Sequence, residues 1–156
     1  MSATIRQRLV DQIVLALRTV TVEGGFQTDA GKSVFVWNPI AIQKTQLPSL
    51  NLRDVSETLS TPTPGVLAHE LTCDVVGMIS DGQTTHDACR RLLADVLVVL
   101  HHEGDQRWRD PLNLALRTEL TKTEMDVVQE ERVIGAVRVE FRITYRTTQG
   151  DPCCLP

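Results

Sequence analysis

Positive charge is in short supply: 16 Lys and Arg stand against 20 Asp and Glu, a net charge of −4. Binding to a phosphate backbone depends on clustered cations that displace counterions, so direct nucleic-acid recognition is not expected. Long apolar runs are missing as well. No stretch approaches the roughly 18 apolar residues needed to span a bilayer. The N-terminal run from Met1 to Arg6 lacks the basic-then-apolar order of a secretory signal. Synthesis in the cytosol without membrane association is the expectation. Cysteine is sparse, limited to Cys73, Cys89, Cys153 and Cys154, a spacing that fits neither a disulfide framework nor a zinc site. Cys73 and Cys89 read as small apolar core residues. The ending Cys153-Cys154-Leu155-Pro156 is only superficially like a prenylation box, because a terminal proline is not an accepted residue there. Residues 151–156 are expected to form a loose tail.

Catalytic patterns are missing too. There is no Gly-x-Ser-x-Gly elbow and no recognisable Cys/His arrangement, which leaves nucleophilic catalysis without support. Gly31-Lys32-Ser33 has the ending of a phosphate-cradling loop. However, Phe26 occupies the position where that loop needs glycine, and the segment follows a helix and leads into a β-type run, the reverse of the required context. His101, His102 and Glu103 are adjacent on a helix end, so they point in different directions and do not converge on one ion. Cationic histidines there suit the helix dipole. His69 reads as a hydrogen-bonded core residue, and Glu130 and Glu131 as a solvated acidic turn. No enzyme activity, cofactor or metal is therefore expected.

What is present is an ordinary globular composition, 42% hydrophobic and 23% charged over 156 residues, enough for one domain over residues 1–150. Ile5, Leu9, Ile13, Ala16, Leu17 and Val20 recur at helical spacing and stop before Gly24-Gly25, which predicts an amphipathic helix. Short strands are predicted over 33–37 and from Ser49 to Arg53, the latter running out near Leu59. Ser60-Thr61-Pro62-Thr63-Pro64-Gly65 is then expected to be an exposed loop, since two prolines and a glycine do not sustain a ladder. Residues 66–80 alternate as a long central strand. Thr84 or Thr85 is placed to cap a second helix with the stripe Ala88, Cys89, Leu92, Leu93, Val96, Leu97 and Leu100. The run from Leu112 to Glu119 alternates and changes parity before Met125, predicting a bulge. Val137, Val139, Phe141, Ile143 and Tyr145 then alternate with polar residues in the clearest strand. The order predicts an α+β fold: a mostly antiparallel sheet with two amphipathic helices packed on one face. The other face, carrying Glu70, Thr72, Asp74, Arg138, Arg142 and Arg146, is left to face water or another subunit.

This order of elements resembles the tail terminator proteins of long-tailed bacteriophages, small subunits that form a ring on the end of the tail tube. The resemblance covers most of the chain. It is carried by the first helix, the Leu47-Pro48 step into a strand, and the turn Ser80-Asp81-Gly82 into the helix of His86, Ala88 and Leu92. The C-terminal pair, from Leu116-Arg117-Thr118-Glu119 to Phe141-Arg142-Ile143-Thr144-Tyr145-Arg146-Thr147, adds to it. It implies a structural virion protein of the tail and neck, assembled in the host cytoplasm. The implied homohexameric ring ends tail-tube polymerisation and offers a surface for head-tail joining. Its implied partners are itself, the tail-tube protein and a head-completion or connector protein. Candidate interface residues are Arg53, Asp54 and Glu57, on a segment expected to project from the sheet; Arg107, Trp108 and Arg109, residue types favoured at hot spots; and Arg138, Arg142 and Arg146 on one strand face. Each set also has another assignment: a mobile loop, a cover for the core end, and a face that is solvated or lines a lumen. Another neck or tail component, such as a head-completion or tail-tube subunit, is the nearest alternative. A small-ligand module, which would show a pocket lined by converging polar groups, is a further one.

Overall fold

A computed structural model of the chain describes residues 2–39, 43–101, 114–129 and 131–156. Two helices, α1 (Ile5–Leu17) and α2 (Thr85–Leu100), accompany five strands: β1 (Val34–Val36), β2 (Ser49–Thr63), β3 (Val66–Ile79), β4 (Ala115–Gln129) and β5 (Val133–Thr148). The strands form one sheet in the order β1-β2-β3-β5-β4. β1 runs parallel to β2, and every other neighbouring pair is antiparallel. This is the α+β architecture the element order implies.

Period-two alternation sorts the long strands into two faces. Leu71, Cys73 and Val75 of β3 and Val139, Phe141 and Ile143 of β5 are fully buried on the helix side, with Leu50 and Leu52 of β2 beside them. Against them lie Ala88, Cys89, Leu92, Val96, Val99 and Leu100 of α2 and Ile5, Leu9, Ile13 and Leu17 of α1. Leu93 and Leu97 of the expected stripe are only partly buried. Asp95 and Val99 are buried in addition to the rest of that stripe. Asp95 accepts from the backbone N–H of Gln27 and Thr28 and from the Thr28 hydroxyl at 2.7–3.2 Å, which accounts for a carboxylate in the core. Gly135 lets α2 approach β5 closely: a Cβ there would collide with Cys89 Sγ and lie 2.9 Å from Thr85 Cγ2.

Three local expectations are corrected. α1 ends at Leu17 rather than Val20, since the Thr19 hydroxyl donates to Ala16 O at 2.6 Å and the last turn tightens, although Val20 stays buried. Neither threonine caps α2 with its side chain; the Thr84 and Thr85 hydroxyls donate backward to Asp81 O and Gly82 O. The largest correction concerns the proline-rich run. β2 continues to Thr63 and turns tightly through Pro64 and Gly65, the latter at φ +84°, into β3. Pro62 is tolerated because β1 pairs with β2 only over Leu50–Leu52, so beyond that point β2 is an edge. A register shift between Ser60 and Thr63 absorbs the missing donor. The bulge expected before Met125 is present, between Leu120 and Lys122.

Residues 151–156, expected to be loose, fold back onto the start of α1. Pro152 O accepts from Ile5 N at 2.9 Å, Cys154 O accepts from Thr148 N at 2.9 Å, and Leu155 O accepts from the Thr148 hydroxyl at 3.1 Å. No helix among the described residues is long and apolar enough to cross a membrane.

Candidate functional site

Two charge networks organise the sheet, one on each face. On the helix side, the bulge after Asp54 sets Asp54 and Glu57 of β2 toward α1, where Arg6 reaches both. Arg6 Nε lies 2.7 Å from Asp54 Oδ2, and Arg6 Nη1 lies 3.7 Å from Glu57 Oε2. Trp37 Nε1 donates to Asp54 Oδ1 at 2.7 Å. Glu57 in turn accepts from the Tyr145 hydroxyl. His69 stacks on Tyr145 with ring centroids 4.3 Å apart and contacts Thr147 Oγ1 through Nε2 at 2.8 Å. Its Nδ1 lies 3.2 Å from Glu57 Oε1 without the alignment of a hydrogen bond.

Electrostatics follow from this enclosure. Burial, together with the Glu57 carboxylate, pushes the Tyr145 phenol well above its ordinary range. Burial pushes the Cys73 thiol up to about 12. Burial works against ionised Asp54, but hydrogen bonds from Trp37 and Arg6 outweigh it and hold the carboxyl below its usual range. A Glu, a His and a Tyr in contact are the ingredients of acid–base chemistry. Here they are consumed by one another: Tyr145 is 2% and His69 7% exposed. Open grooves lie elsewhere, one of about 690 Å³ along Met78, Val128, Glu131, Arg132, Ile134 and Ala136, and another of about 530 Å³ beside Trp37.

On the helix-free face Asp74 is fully buried. Arg53 grips it with two parallel bonds of 2.8 and 2.7 Å, and Arg138 adds a third of 2.8 Å. Arg138 also reaches Glu124 at 3.3 Å and Glu140 at 3.6 Å, while Arg142 pairs with Glu70 at 3.2 Å. Hydrogen bonds from Lys122 and Arg138 hold the Glu124 carboxyl below its usual range. Trp37 joins the two faces, since the Arg53 guanidinium also sits 5.9 Å from its ring centroid. It is held at φ +50°, an uncommon backbone conformation for a bulky residue.

The sequence-predicted candidates divide accordingly. Arg53, Asp54 and Glu57 do not project; they sit in β2 with their charges engaged inside the chain by Asp74 and Arg6. Arg138 and Arg142 share a face as expected, but their acidic partners come from their own sheet. Arg146 is exposed and has no side-chain partner among the described residues. Arg107, Trp108 and Arg109 lie outside the described residues. Gly31-Lys32-Ser33 forms no anion cradle: Gly31 N donates to Val20 O at 2.7 Å. Sequence reasoning missed Arg6, whose partners are 48 residues away or more, and Trp37. It also missed Asp74 as a buried hub; its place directly opposite Arg53 and one strand from Arg138 appears only once the register is known.

Among the described residues no three His, Cys, Asp or Glu side chains are grouped to hold a metal ion. The exposed large apolar side chains lie in good part along the sheet's edges: Val55 and Leu59 on β2, and Leu116, Leu120, Met125, Val127 and Val128 on β4. Compared with protein-family models and with curated proteins, the chain matches none.

Proposed function

We propose that this chain is a structural subunit of a phage tail, a tail terminator that closes into a homohexameric ring on the tube end. The ring stops tube polymerisation and presents a surface to a head-completion or connector protein. The carrying observation is the order of elements on which the resemblance rests: helix, short strand, long hairpin, helix, long hairpin, folded into one sheet with both helices on one side. Supporting it, the ionisable groups that would suggest chemistry are spent on holding strands together, while apolar side chains stay exposed on the rim.

The mechanism is geometric and needs no catalytic group. A head-to-tail interface produces a closed ring when its rotation closes and a filament when it does not. A closed ring occupies the growing end of a tube without offering an equivalent end for the next layer. The two free sheet edges also suit a tube subunit, and the two roles separate by whether growth stops. Added to polymerising tail-tube protein, the chain is expected to fix tube length and appear as a ring at one end in electron micrographs. Tubes of unchanged length with bare ends, or tubes built from this chain alone, would overturn the terminator role.

A further inference from the structure

Resting on that ring proposal, we infer that neighbouring subunits join by continuing the sheet, the outer edge of β2 in one copy pairing antiparallel with the outer edge of β4 in the next. Three features of the chain point to these two edges and to a second copy as the occupant.

The first is polarity. From β2 to β4 every step across the sheet is antiparallel, so β2 and β4 run in opposite directions. A copy generated by rotation about a ring axis keeps its orientation relative to that axis, and therefore sets its β2 antiparallel to its neighbour's β4. Antiparallel ladders are the more stable kind per residue. Among the described residues no strand covers either edge over the same stretch, and on β2 the Asp54 carbonyl accepts from Arg6 Nη2 at 3.2 Å. β1 covers β2 only as far as Leu52, where Trp37 N donates to Leu52 O, and among the described residues no strand pairs with the outer side of β4.

The second is height. Through the sheet's own register, Leu59 pairs with His69, His69 with Tyr145, and Tyr145 with Ala115, so Leu59 and Ala115 lie on one row. Asp54, Cys73, Phe141 and Leu120 likewise lie on another. The exposed apolar residues of the two edges thus come at matching levels: Leu59 with Leu116, and Val55 with Leu120, at 54, 56, 47 and 40% exposure. Leu59 and Leu120 share the helix side with the residues they pair. Val55 and Leu116 sit in register shifts that each insert an extra residue into the edge. Isolated edges are usually protected by charge; here four large apolar side chains are spread over two edges at heights that let them meet.

The third is charge. Along β4, Arg117 is paired with Glu119 and Lys122 with Glu124. On the helix-free side the β2 residues on the rows of Arg117 and Glu119 are Thr58 and Ser56, while Arg53 lies on the row of Lys122. Arg53 is paired with Asp74 and Lys122 with Glu124, so the two cations on that row each meet the contact already partnered inside their own copy.

Disulfide trapping tests the contact in the full chain. In a background carrying Cys153→Ser and Cys154→Ser, one sample carries Leu59→Cys and the other Leu116→Cys; both positions are exposed, so neither change disturbs the core. A second pair, Val55→Cys and Leu120→Cys, is built in the same way. Under mild oxidation at high protein concentration, a covalent dimer is expected in each mixture and not in any sample alone. Dimer from a β4 variant alone would show a two-fold contact between like edges and overturn the proposal; so would the absence of dimer in both mixtures. The outcome is separable from the ring proposal. Closed rings without mixed cross-links reject the edge contact and keep the ring, whereas mixed cross-linked dimers within open filaments keep the contact and reject the terminator.

Discussion

Asp54 illustrates how a single side chain on β2 ties separate parts of the fold. It links α1 through Arg6 and the β1 edge through Trp37. Its carboxyl is held below the ordinary aspartate value of 3.8 in the folded chain, since the hydrogen bonds from Trp37 and Arg6 outweigh burial. A depressed folded value means that the contribution is present above the unfolded value and is lost as pH falls through the folded one. Arg6 is more than a third exposed, so screening limits the ion pair to about 1 kcal/mol or less. Asp54→Asn is therefore expected to lower stability modestly at pH 7 in urea denaturation, with the gap to the wild type closing below about pH 4. A gap that stays constant down to pH 2 would show that the carboxylate charge does not stabilise the fold.

Among the elements, periodicity exposed the strands and helices because their buried faces repeat at 2 and 3.6 residues. β5 alternates along its length, and its expected core set, Val137 to Tyr145, is the observed one. Residues 60–65 were misleading because proline and glycine report local preference only. That Pro62 sits on an edge, where its missing N–H costs no ladder bond, depends on β1 stopping at Val36. Arg53, Asp74 and Arg138 were equally hidden, since three strands from distant parts of the chain bring them together. That tie has a measurable consequence. Removing either arginine leaves Asp74 one partner, whereas removing both leaves a buried carboxylate with none. Arg53→Ala and Arg138→Ala are expected to cost about 1 kcal/mol each, because each guanidinium is about a third exposed. The double variant is expected to cost about 3–5 kcal/mol, more than their sum. Additive values in a urea-denaturation cycle would mean that Asp74 finds water when its partners are gone.

For the whole molecule, the sheet is longer than its cover. β3 has 14 residues, about 45 Å of strand, whereas α2 has 16 residues, about 24 Å of helix. The helix layer therefore closes a core in the middle and leaves the rim of the sheet uncovered by helix, which fits the self-assembly proposed above. Fold class was legible in the sequence because it depends on patterning. Which side chains of the candidate surfaces are already paired within the chain was not, because whether Arg142 pairs with Glu70 is decided by its cross-strand neighbour. Closure into a ring is the central claim, and mass in solution by light scattering, followed by electron microscopy of the same sample, tests it most directly. A discrete six-membered ring whose mass does not grow with concentration is the expected result. A chain that stays monomeric at every concentration, with tail tubes present or absent, or that grows into open filaments, would contradict it.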